Sequence, residues 1–353
     1  MLCRLRYYLE HKEAKRKIYG IGIASVIIFI MAAVGVMFGW FFPPHKAFTS
    51  QNKWITPQPP QFLYELYGGD QEFEKKGVLI NKGDPAHFKG PLAITTSPEG
   101  KVFVADTGHS QIQVFSPEGQ WIKNLGKGKI PSPTGLIYFE HKLYIADPNT
   151  KKIFVYEEGG KELPLLLDNQ KLTLKGGTQG QVIRPSSIQV GPDGLFYITD
   201  IANQCIVVLD GQGKVLKSIG SSGTGDGQFQ YPNALFVNKD GKIYVSDSNN
   251  GRIQIFDKEG MFLTKINGSN GKYGPMALPR GIAVTDQGLI YVVDVFSNML
   301  RVYDEVGVEL WVIGGIGNDD GQFNFPNGLC LDSTGHIYVT DRENNRIQVF
   351  EYK

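Results

Sequence analysis

Cysteine is scarce in this chain. Only Cys3, Cys205 and Cys330 occur in 353 residues, with no CxxC and no metal-type spacing. A disulfide framework and a cysteine-based zinc site are thereby excluded. Charge of one sign is also missing: the formal net charge is +1. What excess there is lies at one end, because residues 1–17 hold six Lys/Arg against Glu10 and Glu13, leaving a net of −3 over the rest. That balance does not supply the basic face that nucleic acid needs, and no nucleic-acid partner is predicted. The catalytic motifs are absent too. There is no G-x-S-x-G elbow, and Gly126–Lys129 ("GKGK") lacks the spacing of a phosphate loop.

Long hydrophobic runs are absent except for one. Residues 18–42 run without a charged side chain, and about 20 apolar residues suffice to cross a bilayer as a helix. Basic residues crowd the stretch before the run, so the positive-inside bias puts residues 1–17 in the cytoplasm and the remainder outside. A cleaved signal peptide has a shorter apolar core and a small-residue site; "FFPPHKAF" fits neither. The expectation is a single-pass cell-membrane protein with an uncleaved signal-anchor. Gly35 and Gly39 form a GxxxG pattern that lets two helices approach as a dimer, although glycine is frequent in membrane helices anyway. Residues 43–61 carry Pro43, Pro44, Pro57, Pro59 and Pro60, and read as a semi-rigid stalk.

The rest, residues 62–353, is periodic. A proline recurs at Pro91, Pro133, Pro185, Pro232, Pro279 and Pro326, and an aspartate at Asp106, Asp147, Asp200, Asp247, Asp294 and Asp341. Repeats of 40–50 residues indicate a propeller or a solenoid. The fourth copy, "YPNALFVNKDGKIYVSDSNNGRIQIFDKEGMFLTKING", decides between them. It holds four short runs rich in Ile, Val, Tyr and Phe, separated by Asn/Asp/Gly turns, with no room for a helix. Six such copies predict an all-β, six-bladed β-propeller. The sixth copy supplies only three strands before the sequence ends. Its fourth is expected from Phe62–Tyr67, which matches other fourth strands and would pair beside Arg346–Phe350 to close the ring.

The stretches "GSSGTGDGQFQYPNALFV", "IYVSDSNNGRIQIFD" and "IYVTDRENNRIQVF" resemble the NHL repeat, most closely in copies one, four and six. The resemblance implies the same six-bladed fold. Its functions range from extracytoplasmic sensor or interaction domains to RNA-binding modules and a lyase, so fold alone does not choose.

The six aspartates look at first like a metal ring. Every blade needs its strand-end turn, however, and an aspartate there accepts hydrogen bonds from turn amides, so the role expected is structural. Arg252 and Arg346 are expected to be held to neighbouring turns in the same way. Beside each proline the chain should line the mouth of the central channel. Arg184, Tyr231 and Phe325 precede it; Asn233, Arg280 and Asn327 follow it. This set suits an anionic or aromatic ligand, and equally a plug of the pore. After the aspartate, Ile201, Val295 and Phe296 replace polar turn residues, suiting either a protein partner or packing between loops. The connections into blades one and three are long and flank a short one into blade two, the pattern of a groove or of neutral drift.

Of six histidines only His87 and His109 fall on the loop face, so a three-histidine zinc site is not assembled and no metal ligand is assigned. No cofactor is predicted; a calcium site made from one aspartate, carbonyls and water remains compatible with the sequence, and a structural or catalytic Ca or Zn stays open. No catalytic residue is assigned. The leading reading is non-catalytic binding of a protein or cell-envelope ligand on the loop face. The second is a metal-dependent lyase or hydrolase in the channel mouth.

Overall fold

The computed structural model describes residues 59–66, 87–173 and 179–351. The run 18–42, most of the stalk, Tyr67 and the long connection before Pro91 up to residue 86 lie outside the described residues. Among those described, no helix is long and apolar enough to cross a membrane.

The turn-rich punctuation read above produces six four-stranded antiparallel sheets. In blade four the strands are Pro232–Val237, Ile243–Asp247, Arg252–Phe256 and Phe262–Ile266, hydrogen-bonded in that order. The first strand of each blade begins at or just after the repeat proline: Ala93–Thr96, Gly135–Phe139, Pro185–Val190, Pro232–Val237, Pro279–Val284 and Pro326–Leu331. These inner strands contact one another in cyclic order, and that of blade six contacts that of blade one. In blade six the order is closed by Gln61–Leu66, which pairs antiparallel with Arg346–Glu351; Phe62 lies opposite Phe350 and Leu66 opposite Ile347. Glu65 Oε2 sits 2.7 Å from a guanidinium nitrogen of Arg346 across that seam.

Packing explains why second strands such as "VFVAD", "FYITD" and "IYVTD" are buried at every position and do not alternate. Each blade presses on two neighbours. Six apolar clusters result, one per blade interface, including the closing interface where Leu66 joins Phe115, Tyr338 and Val349. The connection into each blade drops one apolar side chain into its interface: Phe88, Ile130, Ile183, Phe229, Met276 and Phe323. Room for Phe229 depends on Gly220, where φ is +82° and a Cβ would stand 2.2 Å from the ring.

All six repeat aspartates are fully buried. In each blade the aspartate pairs with the residue five positions on, across a four-residue turn. The last turn residue is left-handed in every case: Ser110, Lys151, Gln204, Gly251, Asn298 and Asn345 have φ between 53° and 60°. Asp247 accepts from the Gln230 amide (2.7 Å), Asn250 Nδ2 (2.9 Å), Arg252 Nε (2.8 Å) and Gln254 Nε2 (3.1 Å). Asp341 repeats the set with Asn324, Asn344, Arg346 and Gln348. Arg252 also donates to the carbonyls of Gly225 and Gln228, so the aspartate ties strand, turn and preceding connection together. Bonds from turn amides two residues on occur at Asp147 and Asp200. Blade five solves the problem differently. Met299 stands where blades four and six have arginine, and the buried Arg301 places its guanidinium 3.6 Å from Asp294 and 2.6 Å from Glu309.

Two stability outcomes follow. Asp247→Ala strands the buried Arg252 and is expected to cost about 3–5 kcal/mol, measured by chemical denaturation; Asp247→Ala combined with Arg252→Met should recover part of it. Leu66→Ala is expected to cost about 2–5 kcal/mol, as for any buried core leucine. A loss below ~1 kcal/mol would show that the closing strand is not part of the core.

Candidate functional site

The cyclic inner strands leave a central cavity of about 270 Å³. Residues following the repeat proline line it in all six blades: Leu92, Thr134, Ser186, Asn233, Arg280 and Asn327. The reason is local. In four blades the proline opens the inner strand opposite the aspartate, so the next side chains are carried along the channel wall. Where the inner strands crowd, the wall has no room for a side chain: a Cβ on Gly281 would stand 2.6 Å from the Asn327 carbonyl oxygen.

The residues preceding the proline divide into two groups. In blades two, three and five the amides of Ser132, Arg184 and Leu278 donate to the blade's own aspartate, at 2.8, 3.0 and 2.8 Å. In blades one, four and six that bond comes from one residue earlier, Lys89, Gln230 or Asn324, at 2.7 Å each. The pre-proline residues Gly90, Tyr231 and Phe325 are then left-handed, with φ of 59°, 52° and 52°. Their amides donate instead to Asn345, Gln204 and Asn298, the left-handed turn residues of the preceding blade.

This division places the expected ligand residues differently. Tyr231 borders the cavity and is 49% exposed; Phe325 is 38% exposed at the rim. Arg184 does not line the cavity: it is exposed and its Nε donates to the Pro148 carbonyl at 3.2 Å. Asn233 is occupied in part, its Nδ2 donating to Ser248 Oγ at 2.9 Å. Of the three apolar turn residues, Ile201 lines the cavity and Phe296 is 60% exposed. Val295 is a correction. It is 4% exposed, its amide donating to the Leu278 carbonyl, and it offers a partner no surface. Phe296 meets Phe325 edge to face at 6.2 Å, which joins blades five and six into one aromatic rim.

Among the described residues lining the channel, Arg280 is the one charged at neutral pH. Its strand is held from blade four, where the hydroxyls of Ser246 and Ser248 donate to the carbonyls of Arg280 and Pro279. Its Nε is buried without a hydrogen-bond partner among the described residues. Burial, and secondarily the nearby positive charge of Arg342, pull its pKa below the usual guanidinium value. No residue lining the cavity is acidic.

His109, one of the two loop-face histidines, is turned inward, with Nδ1 2.9 Å from Asp106 Oδ2. Among the described residues no group of three His, Cys, Asp or Glu comes together as a metal site. Part of the groove suggested over blades one to three, residues 67–86 and 174–178, lies outside the described residues. The rest of its second loop is a hairpin of Lys171–Thr173 with Gln179–Val182.

Comparison with solved structures returns enzymes of the same shape at low identity. A streptogramin B lyase aligns with a TM-score of 0.58 at 15% identity, over 83% of this chain and 98% of that one. A catalytically inactive virginiamycin B lyase from Staphylococcus aureus, solved with quinupristin, gives 0.55 at 17%, over 77% and 97%. A gluconolactonase-like protein gives 0.57 at 15%, over 75% and 89%. At such identities the likeness is one of fold. Comparison with curated proteins gives no match. Three segments, 88–115, 229–256 and 323–350, match the NHL repeat. They span the loop-to-third-strand portion of blades one, four and six, the same blades whose pre-proline residue is left-handed. The chain is thus a six-bladed β-propeller with three NHL repeats, interleaved with three blades of a second local design.

Proposed function

We propose that this chain is a membrane-anchored binding propeller, held outside the cytoplasm by residues 18–42 and the stalk, that takes a protein or cell-envelope ligand on its loop face. The observation that supports this reading is the aromatic rim. Tyr231 and Phe325 occupy left-handed backbone directly before proline, a conformation that costs a bulky residue about 1–3 kcal/mol. Gly90 fills the equivalent place in blade one without that cost. Both aromatics are nevertheless displayed to solvent, Tyr231 at the edge of the cavity and Phe325 against Phe296, and exposed rings near a concave mouth suit recognition. Cavity residues Asn233, Arg280 and Asn327 supply polar contacts beneath them. The Gly35/Gly39 pattern would let two such anchors pair.

The second reading, a metal-dependent lyase or hydrolase, draws on the shape shared with the lyases named above, and a shared shape supports many chemistries. Metal analysis of the purified chain separates the two. The binding reading expects no stoichiometric zinc or calcium after exchange into metal-free buffer; a full, tightly held equivalent would favour the enzyme. For the rim, Tyr231→Ser, Phe296→Ser and Phe325→Ser together are expected to weaken capture of envelope components about tenfold or more, as for interface aromatics elsewhere. Undiminished capture by a folded triple variant would remove the rim from the binding surface. Protease added to right-side-out membrane vesicles should reach the propeller; protection would reverse the orientation.

A further inference from the structure

The channel holds a charge without a counter-ion. Buried cations in folded proteins are paired, because leaving water uncompensated costs several kcal/mol. The other arginines drawn into this propeller obey that rule: Arg252 lies on Asp247, Arg301 on Glu309 and Arg346 on Asp341. Arg280 does not. No carboxylate lines its cavity, and the charge acting on it from blade six is the like charge of Arg342. Its backbone is fixed by the two blade-four serines, so the side chain springs from a held strand rather than a loose segment. Ser186, Gln189 and Asn327 line the same cavity and make no side-chain hydrogen bond among the described residues, leaving polar groups available. The volume, about 270 Å³, lies just below the ~300–1,000 Å³ usual for small-molecule sites. It accommodates a ligand's anionic group, not a folded partner.

We infer that the channel mouth binds an oxyanion, a carboxylate or phosphate borne on an aromatic body, with Arg280 receiving the anion and the Tyr231/Phe296/Phe325 rim receiving the body. The inference rests on the loop-face reading above and narrows it to a ligand class. The charge supplies the missing partner for Arg280 by a charge-assisted, two-pronged contact. Arg342 raises the local positive potential, and the rings contribute stacking.

The test uses the full chain in detergent, with benzoate and phenyl phosphate as probes and acetate and benzyl alcohol as controls, read by calorimetry and thermal shift. At least one aromatic anion is expected to bind saturably at one per chain and raise the Tm. Acetate should bind at least tenfold more weakly, and neutral benzyl alcohol not at all. Binding of benzoate alone assigns a carboxylate, of phenyl phosphate alone a phosphate, and of both a charge-driven site; each supports the inference. Arg280→Gln should weaken binding at least thirtyfold, while Arg184→Gln, outside the cavity, should leave it unchanged. Arg280→Met separates a binding residue from a structural one. It removes the uncompensated charge and should raise the ligand-free Tm, whereas a structural arginine would lower it. No saturable binding of either anion, an unchanged Kd in Arg280→Gln, or a lowered ligand-free Tm in Arg280→Met overturns the inference. Envelope capture that survives Arg280→Gln but is lost in the rim triple variant would defeat the anion assignment alone and leave the loop-face reading standing.

Discussion

The propeller depends on a carboxylate buried at the same place in every blade. A charge fully removed from water is tolerated only when several donors surround it. Here the aspartates collect them from different parts of the chain: the preceding connection in every blade, the four-residue turn in all but blade five, and the third strand in blades one, four and six. Satisfying one group therefore orders up to three segments at once. It also sets where the inner strand starts, since the amide that reaches the aspartate lies one or two residues before the proline. Which residue makes that bond decides whether the pre-proline side chain is turned onto the rim or away from it.

That choice links scaffold to surface. In blades four and six the earlier residue makes the bond, the next is forced left-handed, and an aromatic is displayed. In blade three the pre-proline residue makes it, and Arg184 is drawn instead to the Pro148 carbonyl. The loop face is asymmetric because two turn designs are spread unevenly around the ring, one in blades one, four and six and the other in blades two, three and five. The NHL repeat describes one of those designs.

Much of this architecture was legible in the sequence because it is local. Turn residues mark each strand end, the Pro-to-Asp interval fixes blade length, and the fourth-strand pattern at Phe62–Tyr67 identifies the closure. The channel-lining position after each proline was legible for the same reason. What escaped reading depends on contacts between blades. Val295 and Phe296 are adjacent apolar turn residues with no sequence cue to tell them apart. One is buried, and the other stands out against Phe325. Arg184 and Arg280 looked equivalent beside their prolines, yet only one faces the cavity. In copy five Met299 stands where copies four and six carry arginine, and Arg301 lies two residues on. That this is a swap is clear only once Glu309 is placed beside Arg301.

The central claim is that the arginines buried among the described residues, Arg252, Arg301 and Arg346, are compensated by the protein, whereas the half-buried Arg280 of the channel takes its partner from a ligand. A crystal structure of the protein grown in bromide tests it most directly. The account predicts an anomalous bromide peak, or density for a copurified oxyanion, within hydrogen-bonding distance of the Arg280 guanidinium. A carboxylate of the chain paired with Arg280, leaving no anion in the channel, would contradict it.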